Sequence, residues 1–203
     1  MRQILMMVAM AGLIALAPGC GAKHENDGAG FPSFLDALKQ LEETDRAGGI
    51  VGLVQSSVSM LGADSAALDQ AEYGFEYLAN AGVYRKDVII FGISGFLDIS
   101  VEGNKVSEIN YYMSEHADGF DQDETGLLDN VISEYGSPAS IHYHGEPLDD
   151  IQTIKDEYSE GDELSHIKYD CLWEDIDGKG HSFSIEKEFA IFQNKNLSYY
   201  FFS

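Results

Sequence analysis

The chain predicts an α+β body in which helices pack on one face of antiparallel sheet, and three observations carry that expectation. Apolar residues first recur at helical spacing and then at period two. Tight-turn residues separate the period-two stretches. The helix-then-strands order then comes round a second time, which raises a tandem repeat.

In SFLDALKQLEETDRAGG, residues Phe34, Leu35, Leu38 and Leu41 fall on one helical side, with Ser33 as a cap and Gly48-Gly49 as a stop. The next stretch, GIVGLVQSSVSMLG, is short, apolar and rich in Gly and Ser, and it fits a buried helix and irregular packing equally well. A further helix is expected from Ser65 to Ala81 on Leu68, Ala71, Phe75 and Leu78. Strands are expected at Val88 to Ile93, Phe96 to Val101 and Val106 to Met113, the last two joined by the turn Glu102-Gly103-Asn104-Lys105. Leu97, Ile99 and Val101 then share a face with Ile109, Tyr111 and Met113, and the preceding helix is the nearest cover.

The second round opens with DETGLLDNVISEYG, whose Leu127, Leu128, Val131 and Ile132 mark a helix that ends at Gly136, with Pro138 beyond. After an acidic segment come the strand patterns IKYDCLWED, HSFSIEKE, FAIFQNK and LSYYFF. Turns are expected at Asp177-Gly178-Lys179-Gly180 and Asn194-Lys195-Asn196. "ISVEGNKVSEINYYM" and "AIFQNKNLSYYFF" echo each other as strand, Asn-Lys turn and Tyr-Tyr strand. Convergent hairpin chemistry explains the echo as well as duplication does; duplication would make 65–113 and 123–203 the two halves.

At the amino terminus, Arg2 precedes an apolar run from Ile4 to Ala17. That run is shorter than the roughly 20 residues of a spanning helix and suits the apolar region of a secretory signal. Leu16-Ala17-Pro18-Gly19-Cys20 resembles the lipobox of bacterial lipoproteins, although Ala17 stands where that family favours leucine and Pro18 is an uncommon neighbour. The resemblance implies a signal peptide over 1–19, a lipidated Cys20 with a polar tether over 20–32, and a globular body over 33–203. It also implies an extracytoplasmic protein held at the cell membrane or outer membrane, since two acyl chains anchor stably where one does not. Gly21 follows the cysteine in place of the aspartate associated with inner-membrane retention. With Cys20 acylated, Cys171 has no disulfide partner, and its place in IKYDCLW reads as a buried, inert thiol.

The formal net charge of −23 argues against nucleic acid as a partner and against charge-driven adhesion to anionic lipid. Between Glu115 and Glu163 fifteen residues are acidic and only Lys155 is basic, the pattern of a solvated face or loop, or of a surface for a basic partner or a divalent cation.

Nucleophilic catalysis has little support, because Gly92-Ile93-Ser94-Gly95 lacks the second spaced glycine of a nucleophile elbow and sits in a hairpin pattern. His142 and His144 alternate in SIHYHGE, so on a strand both imidazoles would share a face and could ligate a metal, completed by His166, His181 or Glu146. Asp175-Ile176-Asp177-Gly178 is an incomplete calcium-loop pattern and reads better as a turn. Asp118, Asp121, Asp123 and Glu124 read as charges at the start of the following helix. Among Tyr111, Tyr112, Tyr199 and Tyr200, alternation buries about half and leaves the others to line a binding face.

The order of elements from about Ser65 is similar to that of small bacterial lipoproteins such as the outer-membrane assembly factor of the SmpA type, and of the tandem-repeat β-lactamase inhibitory proteins. That resemblance implies protein binding by a sheet face and carries no site residues across. The expectation is a non-enzymatic, membrane-anchored binding protein with a protein partner in the cell envelope and no cofactor. The alternative is a lipoprotein that binds a divalent metal or small ligand.

Overall fold

The computed structural model describes residues 30–116, 124–160, 168–190 and 195–203. Cys20 and the rest of the lipobox lie outside them, as do Asp118, Asp121, Asp123, His166 and Asn194.

Among the described residues are four α-helices, α1 (Phe31–Gln40), α2 (Arg46–Met60), α3 (Glu124–Tyr135) and α4 (Gln152–Glu160). Nine strands form one sheet: β1 (Glu76–Leu78), β2 (Val83–Ile90), β3 (Ile93–Glu102), β4 (Lys105–His116), β5 (Ser140–Tyr143), β6 (Glu146–Pro147), β7 (Tyr169–Trp173), β8 (Phe183–Ala190) and β9 (Lys195–Phe202). Their order is β1-β2-β3-β4-β9-β8-β7-β5-β6, and every neighbouring pair is antiparallel. The α+β class expected from the sequence is the one the chain adopts.

The first helix begins earlier than its sequence signal. Gly30 caps it in extended conformation, and Pro32 occupies the first turn, where a missing N–H is no loss. Phe31, Phe34 and Leu38 are its buried stripe. It ends at Gln40 rather than at Gly48-Gly49, and the carbonyls of Leu41 and Glu42 accept the N–H groups of Phe91 and Gly92. The two glycines lie inside α2, which is capped by Asp45 accepting the Gly48 N–H at 2.6 Å. The ambiguous Gly- and Ser-rich stretch is thus a buried helix, with Ile50, Leu53, Val54, Ser57 and Met60 turned inward. A Cβ at position 49 would collide with the Phe91 ring, so the glycine lets the β2–β3 turn rest on α2.

Three sequence expectations are corrected. Residues 65–81 form two short 3₁₀ turns and β1 instead of a helix. Gly74, left-handed at φ 68°, breaks the run, and Glu76–Leu78 pairs with β2; the apolar spacing marked burial of Leu68, not helix. Val88 to Ile93 is not one strand, because Phe91 and Gly92, both at positive φ, make the tight turn between β2 and β3. Lys195 and Asn196 belong to β9 rather than to a turn, and β8 runs unbroken through the junction of HSFSIEKE and FAIFQNK. The acidic stretch holds β5, β6 and α4. The expected turn at Gly103-Asn104 and the helix stop at Gly136 are both present.

One face of the sheet is closed. Leu97, Ile99, Ile109, Tyr111 and Met113 on one side of the centre join Phe202, Tyr200, Ile185, Phe183, Cys171 and Trp173 on the other in a single apolar cluster. Val101 is only half-buried because the β3–β4 register shifts at Ser100/Val101. The second helix lies over β4, where Ser57 Oγ and Tyr111 OH share a hydrogen bond of 3.0 Å, and it packs against α3 beside it. Trp173, fully buried, donates its indole N–H to the Gly136 carbonyl at the end of α3.

Candidate functional site

The face away from the helices is crossed by one continuous register row. Asp87 of β2 stands opposite Phe96 of β3, then Tyr112 of β4, Tyr199 of β9, Glu186 of β8, Asp170 of β7 and His142 of β5. The neighbouring row brings Arg85, Asp98, Asn110, Phe201, Ser184 and Leu172 into line. Strand alternation puts both rows on the face opposite Tyr111 and Tyr200, which are buried.

The centre of this face is aromatic. The Phe96 and Tyr112 rings stack with centres 4.8 Å apart, and Tyr112 meets Tyr199 and Phe201 edge-on at 5.6 and 6.1 Å. All four are half-buried, and among the described residues they are held by each other rather than by a covering element. The expected division of the tyrosines is therefore present: Tyr111 and Tyr200 inward, Tyr112 and Tyr199 outward. Phe96 and Phe201 were missing from the sequence reading, although each lies two positions from a polar residue of the same face in an alternating strand.

The flanks are charged. The Arg85 guanidinium lies 3.8 Å from the Phe96 ring centre and makes paired hydrogen bonds of 2.7 and 2.6 Å to Asp98. On the far flank, Lys168 bonds Glu188 at 2.9 Å and His142 Nδ1 lies 2.9 Å from Asp170. Burial raises the Glu186 carboxyl; Lys168 opposes that rise, and the Glu188 and Asp170 charges add to it.

A second cluster is fully internal. Glu124, the first residue of α3, is 0% exposed and accepts hydrogen bonds from Arg46 of α2 at 3.2 Å and from Tyr169 of β7, with Lys187 of β8 at 2.7 Å. Its place at the start of α3 is the expected one, but the charge there is enclosed rather than part of the solvated face that the acidic run suggests. Burial alone would raise its carboxyl, but Lys187 and Arg46, with hydrogen bonds from Lys187 and Tyr169, hold it below its ordinary value.

The metal reading of His142 and His144 loses its premise. His142 is on β5, whereas His144 sits in the β5–β6 turn at φ 52°, off the strand alternation. His181 Nδ1 is 2.8 Å from Asp177, and Asp175 and Asp177 accept N–H groups of Gly180 and Lys179 in their own loop. Among the described residues no three His, Cys, Asp or Glu side chains come together as a metal-holding group. Cys171 is buried, and that burial, with the nearby charges of Asp170 and Glu124, pushes its thiol up to about 12. Ser94 lines a groove of about 710 Å³ between α1 and the β2–β3 hairpin, whose lining includes Leu38, Lys39, Glu72 and Val88 but no histidine to act as its base. Among the described residues no helix is long and apolar enough to cross a membrane.

Comparison with protein-family models, with curated proteins and with solved structures gives no match for this chain.

Proposed function

We propose that this chain is a membrane-anchored extracytoplasmic lipoprotein whose α+β body is a non-enzymatic binding module for a protein of the cell envelope. The observation that carries the binding half of this reading is the asymmetry of the sheet. Helices close one face, while the other presents the half-buried aromatic row Phe96, Tyr112 and Tyr199 without cover from any described element. Half-exposed aromatic residues at the centre of a rigid sheet supply contact area at small entropic cost. The anchor half rests on the lipobox-like Leu16 to Cys20.

The test of the anchor is the mass of the mature amino-terminal peptide recovered from membranes of an expressing bacterium, beside Cys20→Ala. A diacylglyceryl or triacyl mass on Cys20, absent from the variant, supports it. An unmodified terminus near Lys23 removes the anchor and the location built on it.

A further inference from the structure

Resting on that reading, we propose that the occupant of the open face is a protein segment presenting arginine or lysine side chains between apolar ones. The first ground is charge. Among the described side chains, Asp87, Glu108, Asp170, Glu186 and Glu188 stand around the aromatic centre, against Arg85 and Lys168, each of which already bonds a carboxylate of this face; Lys195 holds a further register position on it. A second copy laid face to face would bring like charges together, and an anionic lipid surface would be repelled.

The second ground is an internal precedent. The protein holds one guanidinium on this face already, Arg85, against an aromatic ring and a carboxylate together. A two-fold axis through the Tyr111–Tyr200 pair, normal to the sheet, carries the Asp98 position onto Glu186 and the Arg85 position onto Asp170. At the related place a carboxylate thus stands where the other half supplies a guanidinium, next to the Tyr199 ring. A cation from a partner would meet there the Glu186 and Asp170 carboxylates beside the Tyr199 ring, although the counterpart of Phe96 itself is Ser184.

The experiment uses the whole chain in detergent and labelled peptides alternating Val with Arg, Gln or Glu, read by fluorescence anisotropy across a salt series. The Arg peptide is expected to bind best and to weaken as salt rises. Tyr112→Ala/Tyr199→Ala is expected to weaken it at least about 10-fold. Glu186→Gln/Asp170→Asn is expected to weaken it several-fold and flatten the salt dependence, and Asp36→Asn on α1 to change nothing. Tyr112→Phe/Tyr199→Phe keeps the rings and is expected to keep binding, so a folding defect in the alanine variant leaves the test intact. Equal binding of the Gln peptide overturns the inference. So does indifference to the carboxylate variants, a dimer dissolved by Tyr112→Ala/Tyr199→Ala, or binding of Cys20→Ala chain to phosphatidylglycerol vesicles that needs the two tyrosines. The Cys20 mass is read separately: a lipidated cysteine with no peptide preference sinks this inference alone, and an unmodified one sinks the anchor alone.

Discussion

In the first half of the sheet, β3 and β4 turn Leu97, Ile99, Ile109 and Tyr111 inward under α2; in the second, β7, β8 and β9 turn Tyr169, Ile185, Lys187 and Ser198 inward near α3. The two-fold through Tyr111 and Tyr200 relates Ile99 to Lys187 and Ile109 to Ser198. One layout is therefore filled in two ways. The first half excludes water mainly with aliphatic side chains, and apart from the Ser57–Tyr111 hydrogen bond its cohesion is non-directional. The second encloses Glu124, Arg46, Lys187 and Tyr169, which tie α2, α3, β7 and β8 to one another by directed bonds. Such a cluster adds little net stability over an apolar filling, yet it is intolerant of losing a member, because a buried charge would be stranded.

The sharpest way to break this contrast is Glu124→Ala, which leaves Arg46 and Lys187 enclosed without their shared carboxylate. It is expected to cost about 3–5 kcal/mol by urea unfolding. Ile109→Ala, at the counterpart of Ser198, is expected to cost about 2–4 kcal/mol by cavity formation alone and to show no dependence on acid pH.

Acid separates the halves next. The Glu124 carboxyl is depressed below the 4.5 of a free glutamate, so its contribution is present above that value and is lost as pH falls through the lowered one. Amide protection relative to the unfolded chain at the same pH is expected to fall in β7 and β8 on acidification before it falls in β2 and β3; simultaneous loss would erase the distinction. Asp98→Asn, which weakens the partly exposed Arg85 pair, is expected to cost only about 1 kcal/mol. Smallest of all, the native thiol of Cys171, pushed up to about 12, is expected to resist iodoacetamide at neutral pH and to label readily in urea; prompt native labelling would show the second half to be loosely closed.

The same contrast marks what the sequence could reveal. Alternation with a Gly-Asn turn made β3 and β4 plain, because Leu97, Ile99, Ile109 and Tyr111 obey period two around a two-residue loop. The second helix stayed ambiguous because Gly48, Gly49 and Gly52 are poor helix formers, and burial against the sheet overrides them. The Ser65 to Ala81 stretch imitated a helix because Leu68, Ala71, Phe75 and Leu78 stand three or four residues apart, although of these only Leu68 is buried. No local pattern could join Glu124 to Arg46 and Lys187. The one available signal was Lys187 itself, at an inward position of F-S-I-E-K where alternation calls for an apolar residue. Of the open face, Tyr112 and Tyr199 were legible from alternation. Their meeting was not, since it depends on β4 pairing with β9. The Tyr-Tyr echo is one residue out of step with that pairing: antiparallel register sets Tyr111 against Tyr200, so a two-fold that keeps the faces does not superpose the two dipeptides in order.

The β4–β9 seam has a consequence for the time course of folding. The pairs β2–β3 and β3–β4 are hairpins that can zip from two-residue turns, whereas the seam joins a strand from the middle of the chain to the carboxy-terminal strand. Loop-closure entropy makes such a join slow, and until β9 arrives β4 carries a bare hydrogen-bonding edge between two rows of aromatic side chains. The molecule closes last at its middle, and it is most open to self-association in the interval before it does.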